Sequence, residues 1–192
     1  MPASRRWLLA VLLNVLISVS SPRRQASGRL FLRVLLLENC DGPPLPIRFV
    51  DRKISWIKDL GHVVDATVSV SKSIASFRMV FVELKRCRDP QRLDVCEYYA
   101  TWSWRTAICN LVVMPGMIWT PILHSISPPI KCPLKAGTYH AVNSTWDLNS
   151  ALMKEVLEDG MVWKGDVVFA DPNNASAGCL RGAIQGVKRN FQ

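Results

Sequence analysis

The sequence is short of the residue patterns that announce catalysis. Its 192 residues hold three histidines, His62, His124 and His140, far from one another. There is no Cys-x-x-Cys pair, so no zinc-site spacing is present and no metal is implied. A nucleophile elbow and a phosphate-cradling glycine loop are also missing. These absences argue against an enzyme and give no reason to expect a cofactor. Beyond residue 20 no apolar run approaches the roughly 20 residues that a membrane-spanning helix needs. Acidic residues are few, 15 against 24 basic ones, for a formal net charge of +9. The basic residues are scattered rather than striped, unlike the footprint of a nucleic-acid-binding protein. An anionic membrane surface suits them better, since each Lys or Arg near one is worth about 1 kcal/mol. No internal repeat or low-complexity tract is visible.

What is present begins with an address. Arg5 and Arg6 precede an apolar run over residues 7–19 that ends in Ser18-Val19-Ser20. Small residues at the two positions read by signal peptidase make residues 1–20 a secretory signal, and the run is too short for an anchor. Its removal takes away two of the 24 basic residues and none of the 15 acidic ones, leaving +7. Residues 21–29 lack apolar periodicity and read as a flexible basic lead-in. Residues 30–192 then form a single domain, large enough for a sizeable core or for a core wrapped around a cavity. A secreted chain meets little nucleic acid, which again leaves membrane surfaces as the partner.

Six cysteines, Cys40, Cys87, Cys96, Cys109, Cys132 and Cys179, form an even set for an oxidising compartment. Three disulfides follow, with every pairing open at this point. Asn143-Ser144-Thr145 and Asn174-Ala175-Ser176 are glycosylation acceptors, which places Asn143 and Asn174 on exposed turns if they are used.

Most of the chain reads as short strands. Residues 30–37 are apolar except Arg33, as in a strand covered on both sides. A second strand spans residues 47–56. The clearest is the third, where Val64, Ala66, Val68 and Val70 alternate with polar neighbours at the period of two. Over residues 77–84, Phe77, Met79 and Phe81 occupy one face and Val80, Val82 and Leu84 the other. Both faces are apolar, which suits either a central strand or one lining a cavity. Tyr98, Tyr99, Trp102, Trp104 and Ile108 do not alternate cleanly, and a short helix is expected within residues 97–113. Residues 114–123 are apolar and broken by Pro115 and Pro121, so an irregular loop is expected, either packed or exposed for contact. Further strands are expected over residues 141–148, 161–169 and 178–187. Seven or eight strands with one or two short helices make an all-β antiparallel two-sheet sandwich or cup.

The stretch Lys131-Cys132-Pro133-Leu134-Lys135-Ala136-Gly137-Thr138-Tyr139 joins a cross-link, a rigid turn and a strand entrance. Pro133 biases Cys132 toward extended backbone, and Gly137 tolerates the positive φ of a tight turn. Taken in order with Asn39-Cys40-Asp41, the Cys87 to Cys96 loop and Gly178-Cys179, it resembles the frame of the ganglioside GM2 activator-like proteins of the ML lipid-recognition family. The resemblance runs over nearly the whole of residues 30–190. It implies an immunoglobulin-like sandwich enclosing an apolar cavity, with bonds Cys40–Cys179, Cys87–Cys96 and Cys109–Cys132. The family's fourth bridge has no counterpart here, because residues 114–130 contain no cysteine. Headgroup preference therefore does not transfer.

The resemblance also draws attention to residues 152–160, where the family carries an apolar loop that meets lipid. Leu152, Met153, Val156 and Leu157 supply the apolar atoms here. Their spacing fits an amphipathic helical turn packed on the sheets equally well. For a lipid cavity, the candidate lining is Met79, Phe81, Trp102, Trp104, Trp119, Trp146 and Trp163. Each methylene buried there contributes about 0.8 kcal/mol, enough to extract an acyl chain without covalent chemistry. The resemblance thus implies a secreted or lysosomal carrier of a glycolipid or other acyl lipid. Its partners would be an anionic membrane and a lysosomal glycosidase that it serves without being an enzyme. The alternative is a lipid-sensing co-receptor, innate-immune or chemosensory protein, with a receptor as partner.

Overall fold

In a computed structural model the described residues are 29–105, 108–148, 153, 157 and 160–189. The expected signal peptide, residues 21–28 of the lead-in, Leu152 and Val156 lie outside them. Among the described residues no helix is long and apolar enough to cross a membrane.

Among the described residues, alternating and β-branched segments become nine strands. They are β1 (Arg29–Asn39), β2 (Ile47–Ile57), β3 (Gly61–Val70), β4 (Met79–Cys87), β5 (Glu97–Trp104), β6 (Ile126–Ser127), β7 (Gly137–Ser144), β8 (Val162–Ala170) and β9 (Ser176–Arg189). Two short helices, α1 (Ile108–Val113) and α2 (Thr120–His124), lie between β5 and β6. Leu30–Arg189 is one compact unit.

The strands follow the order β5-β4-β8-β9-β1-β3-β7-β6, with β2 on β3 and touching β9. Two contacts in this path differ from the rest. β1 meets β3 in parallel only at Leu32 opposite Gly61, and β2 meets β9 in parallel only at Ile47 opposite Gly178. Dividing the path there leaves two sheets, β5-β4-β8-β9-β1 and β2-β3-β7-β6, each with long antiparallel ladders. The fold is therefore an all-β two-layer arrangement. A glycine stands at each seam for a steric reason. A Cβ on Gly61 would lie 3.0 Å from the Leu32 carbonyl oxygen, and one on Gly178 would lie 2.9 Å from the Ile47 Cβ. Beside the first seam the His62 ring replaces a ladder bond, its Nδ1 accepting from Val34 N–H at 3.0 Å.

The core lies between the sheets. Leu32 and Val34 of β1 meet Val64 and Ala66 of β3, Ala141 of β7, Met153 and Leu157. Full burial of side chains such as Leu32 stabilises by about 1.5–3 kcal/mol each. A second cluster joins Ile47, Val70, Ile74, Leu134, Tyr139 and Ala177. Here the stretch around Cys132 does its structural work. Leu134 is buried and pairs with Ile74 through two backbone hydrogen bonds of 2.8 and 2.9 Å. Gly137 opens β7 at φ 152°, and the Tyr139 hydroxyl donates to the Lys135 carbonyl.

Two expectations change. Residues 97–104 form a strand, not part of a helix, and helix begins only at Ile108. A bulge explains the broken alternation, because Leu84 pairs with Ala100 but Lys85 pairs with Tyr98, leaving Tyr99 extra. The apolar stretch 114–123 is a turn followed by α2, which Pro121 enters in its first turn. Met114, Pro115 and Gly116 at its tip are exposed, whereas Met117 through Leu123 are half-buried.

Candidate functional site

Cross-strand partners share a face, so the ladder registers sort the side chains of the first sheet. One face carries four rows across β5, β4, β8 and β9. They are Trp104, Val80, Phe169 and Gly178; then Trp102, Val82, Val167 and Leu180; then Ala100, Leu84, Gly165 and Gly182; then Glu97, Arg86, Trp163 and Ile184. This face points toward the second sheet, because Gly178 abuts Ile47 and Ile184 packs on the central core. At about 3.4 Å per residue the four rows span roughly 20 Å.

That wall is apolar but incompletely covered. Trp102 is 41% exposed, and Val82, Leu84, Trp104, Val167, Phe169 and Leu180 are half-buried. None of these seven belongs to a core cluster among the described residues. In the third row Gly165 faces Gly182, so two adjacent positions lack side chains and Leu84 leans over the gap, 3.4 Å from where a Gly165 Cβ would be. A separate apolar pocket of about 50 Å³ is lined by Ile47, Val68, Val70, Ile126, Ile130, Leu134, Tyr139 and Ala141. It is small beside the roughly 150 Å³ that admits one benzene. The wall, rather than this cavity, has the extent for an elongated apolar molecule.

The opposite face is charged. Glu83, Lys85, Lys164, Asp166 and Arg181 gather there. Arg181 forks onto Asp166 through Nε and Nη2 at 2.9 and 3.0 Å, while its Nη1 donates to Asp41 at 2.8 Å. The Asp166 and Asp41 hydrogen bonds raise the Arg181 guanidinium above its usual pKa. In turn the Arg181 hydrogen bond holds the Asp41 carboxyl below its ordinary value. Farther along this face, Cys87, Val162 and Ala183 pack under the Cys87–Cys96 loop, which Lys164 Nζ pins by donating to the Leu93 carbonyl.

The candidate lining residues divide. Trp102, Trp104 and Trp163 share the inner wall, with Trp163 only 5% exposed. Met79 and Phe81 fall on the other face, in register with Ala170 and Val168. Trp146 packs on the central core, and Trp119 donates its indole N–H to the Val112 carbonyl. Met153 and Leu157 have helical backbone and are 4% and 1% exposed, inside the core. The disulfides are Cys40–Cys179, Cys87–Cys96 and Cys109–Cys132, the pairs the resemblance implies. Asn143 and Asn174 are both exposed and have φ of 50° and 65°. Among the described residues no group of three or more His, Cys, Asp or Glu could hold a metal ion.

Val167, Phe169, Leu180 and the Gly165–Gly182 gap escape a reading of the sequence, yet a signal for the inner face was there. Glu83 and Lys85 share the parity of Met79 and Phe81, so charge alternation in β4 marks Val80, Val82 and Leu84 as the inward set.

The molecule is thus a disulfide-stapled, two-layered β protein with an open apolar inner wall. No family model matches the sequence, and no curated protein matches it. Among solved structures it is similar to a Niemann-Pick type C2 protein from Japanese carpenter ant. The identity is 16% and the TM-score 0.33, over 77% of this chain and 96% of the other. That likeness transfers no residue and no ligand to this chain.

Proposed function

We propose that the protein is a non-enzymatic carrier of the ML lipid-recognition type, secreted or lysosomal and glycosylated at Asn143 and Asn174, which takes an acyl lipid onto the inner wall of β4, β5, β8 and β9. The observation that carries this reading is the half-exposed apolar wall itself. Among the described residues, seven large apolar side chains on one face stand outside every core cluster, among them Trp102 at 41% exposure. Apolar surface on this scale marks a binding site, because leaving it wet forfeits about 25 cal/mol per Å². Presentation of a glycolipid to a hydrolase is the finer form of the same activity, and it needs no reacting group in the carrier. The basic surface favours unloading at anionic membranes.

Native mass spectrometry of the secreted protein, paired with transfer of a labelled lipid between vesicles, tests this directly. A lipid-sized adduct and transfer that scales with protein concentration are expected. A protein that carries no lipid and moves none between vesicles overturns the reading. Receptor-dependent binding with no transfer would replace the carrier by a co-receptor.

A further inference from the structure

Val113, Met114, Pro115 and Gly116 are consecutive exposed residues with no polar side chain among them, and they run from the last residue of α1 into its connection to α2. Val113 is 55% and Met114 42% exposed. The connection is tied down in this outward position. The Thr120 hydroxyl donates to the Met114 carbonyl at 3.2 Å and accepts from the Met117 N–H at 2.9 Å. The Trp119 indole N–H reaches the Val112 carbonyl at 3.2 Å, and Gly116 supplies the positive φ of 77° that the turn needs. A turn braced in this way displays its apolar side chains instead of folding them in, and contiguous exposed apolar surface marks a contact site.

Charge along this part of the chain has one sign. No Asp or Glu occurs between Glu97 and Asp147, although the sequence holds 15 acidic residues. Glu97 is at the far end of β5, roughly 20 Å along the strand from Trp104. Asp147 is half-buried, its N–H on the Ile118 carbonyl at 3.3 Å. Arg105 is exposed just before α1. Lys131 is exposed beside Cys132, whose disulfide to Cys109 holds it against α1 with the Cα atoms 5.9 Å apart.

From this tip we infer that the α1–α2 connection docks on anionic bilayers, with Val113 and Met114 entering the lipid and Arg105 and Lys131 meeting acidic headgroups. A bilayer needs the combination found here, a short apolar insertion supported by diffuse positive charge. A stable protein partner needs a far larger surface, about 20–30 residues on each side. The purpose of the contact rests on the carrier reading. Arg105 follows directly on Trp104, the β5 member of the wall's first row, so a bilayer that meets Arg105 also meets that end of the wall.

The test is sedimentation of the intact protein with vesicles of phosphatidylcholine, alone or with about one-third phosphatidylserine. Wild type should bind the anionic vesicles about tenfold or more tightly than the neutral ones. Val113→Asp and Met114→Asp should each weaken that binding about tenfold. Val50→Asp, on β2 at a valine 58% exposed, adds the same charge elsewhere and should stay within about threefold of wild type. Replacing Arg105 and Lys131 together by Gln should remove the preference for anionic vesicles. Met114→Asp should also slow lipid transfer between vesicles while holding a soluble hexadecanoyl probe as tightly as wild type. Circular dichroism checks folding, and Met114→Ser stands in for an Asp variant that fails to fold. Equal binding of wild type to both kinds of vesicle, or tip variants no weaker than Val50→Asp, overturns the inference. Vesicle binding that requires a second protein hands the tip to that protein and overturns it as well. Absence of vesicle binding does the same, and uptake of the hexadecanoyl probe, which needs no membrane, then decides the carrier reading by itself.

Discussion

Gly178 of β9 faces Ile47 of β2 so closely that a methyl group on Gly178 would lie 2.9 Å from the Ile47 Cβ and 3.2 Å from its carbonyl oxygen. The oxygen is backbone and cannot swing aside, so the two sheets must separate to admit the methyl. Gly178→Ala should therefore destabilise by about 1–3 kcal/mol, as overpacking does. Gly182, four residues along the same strand, has nothing nearer than the Leu36 carbonyl oxygen at 3.7 Å. Gly182→Ala should fall within about 0.5 kcal/mol of wild type, helped by the lower entropy of its unfolded chain. Urea midpoints for the two variants check the contrast. Equal midpoints would mean that the seam is not close-packed.

Asp41 and Arg181 make the acid response of the fold predictable in sign. Asp41 titrates below the ordinary 3.8, chiefly because Arg181 donates a hydrogen bond to it. A depressed carboxyl adds stability that is present above the unfolded value and is lost as pH falls through the folded one. Melting temperature should thus hold down to about pH 4 and drop below it. Asp41→Asn should flatten that acid limb, since its amide does not titrate over the range. Thermal melts between pH 2 and 7 supply the comparison. A limb of unchanged steepness would show that solvent screens the contact too strongly to matter.

Trp102 separates ligand contact from folding. It sits on the edge strand β5, in the middle of the inner wall and 41% exposed. Trp102→Ala should cost under about 1 kcal/mol of stability yet weaken binding of a hexadecanoyl probe by roughly tenfold, a loss equivalent to about 1.4 kcal/mol. Trp163→Ala, from a position only 5% exposed, should instead cost about 3–5 kcal/mol of stability. Denaturation and probe titration of both variants would resolve the two roles. Unaltered binding in folded Trp102→Ala would remove β5 from the site.

The legible and illegible parts of this fold have different physical origins. The β3 strand announced itself because Val64, Ala66, Val68 and Val70 alternate with residues that face water. Strand β5 hid because one extra residue at Tyr99 breaks the period, and a broken period of two imitates a helix. Three disulfides were legible because an even set of six cysteines in an oxidising compartment pairs fully, as these six do. The inner wall was beyond reach for another reason. Val82, Trp102, Val167 and Leu180 form one row only through three long-range registers, and nothing local in the chain states a register. The choice between Phe81 and Val82 as the inward residue was open to inspection, since Glu83 and Lys85 must face water. The apolar character of both flanks drew attention away from it.

Leu157 was expected on the sequence as a lipid contact and lies in the core instead. Its side chain is 1% exposed and belongs to the central cluster with Leu32 and Val64, and its backbone lies against Gly186 so tightly that no Cβ fits there. Leu157→Ala should therefore cost about 2–5 kcal/mol, the range for truncating a fully buried leucine. Gly186→Ala should destabilise as well, by driving Leu157 away from β9 and thereby releasing its side chain. The two losses share one contact, so the double variant should lose less than their sum by at least about 0.5 kcal/mol. A complete cycle of urea denaturation curves measures that coupling. Additive losses, or a Leu157→Ala cost under about 0.5 kcal/mol, would mean that Leu157 spends its time off the sheet.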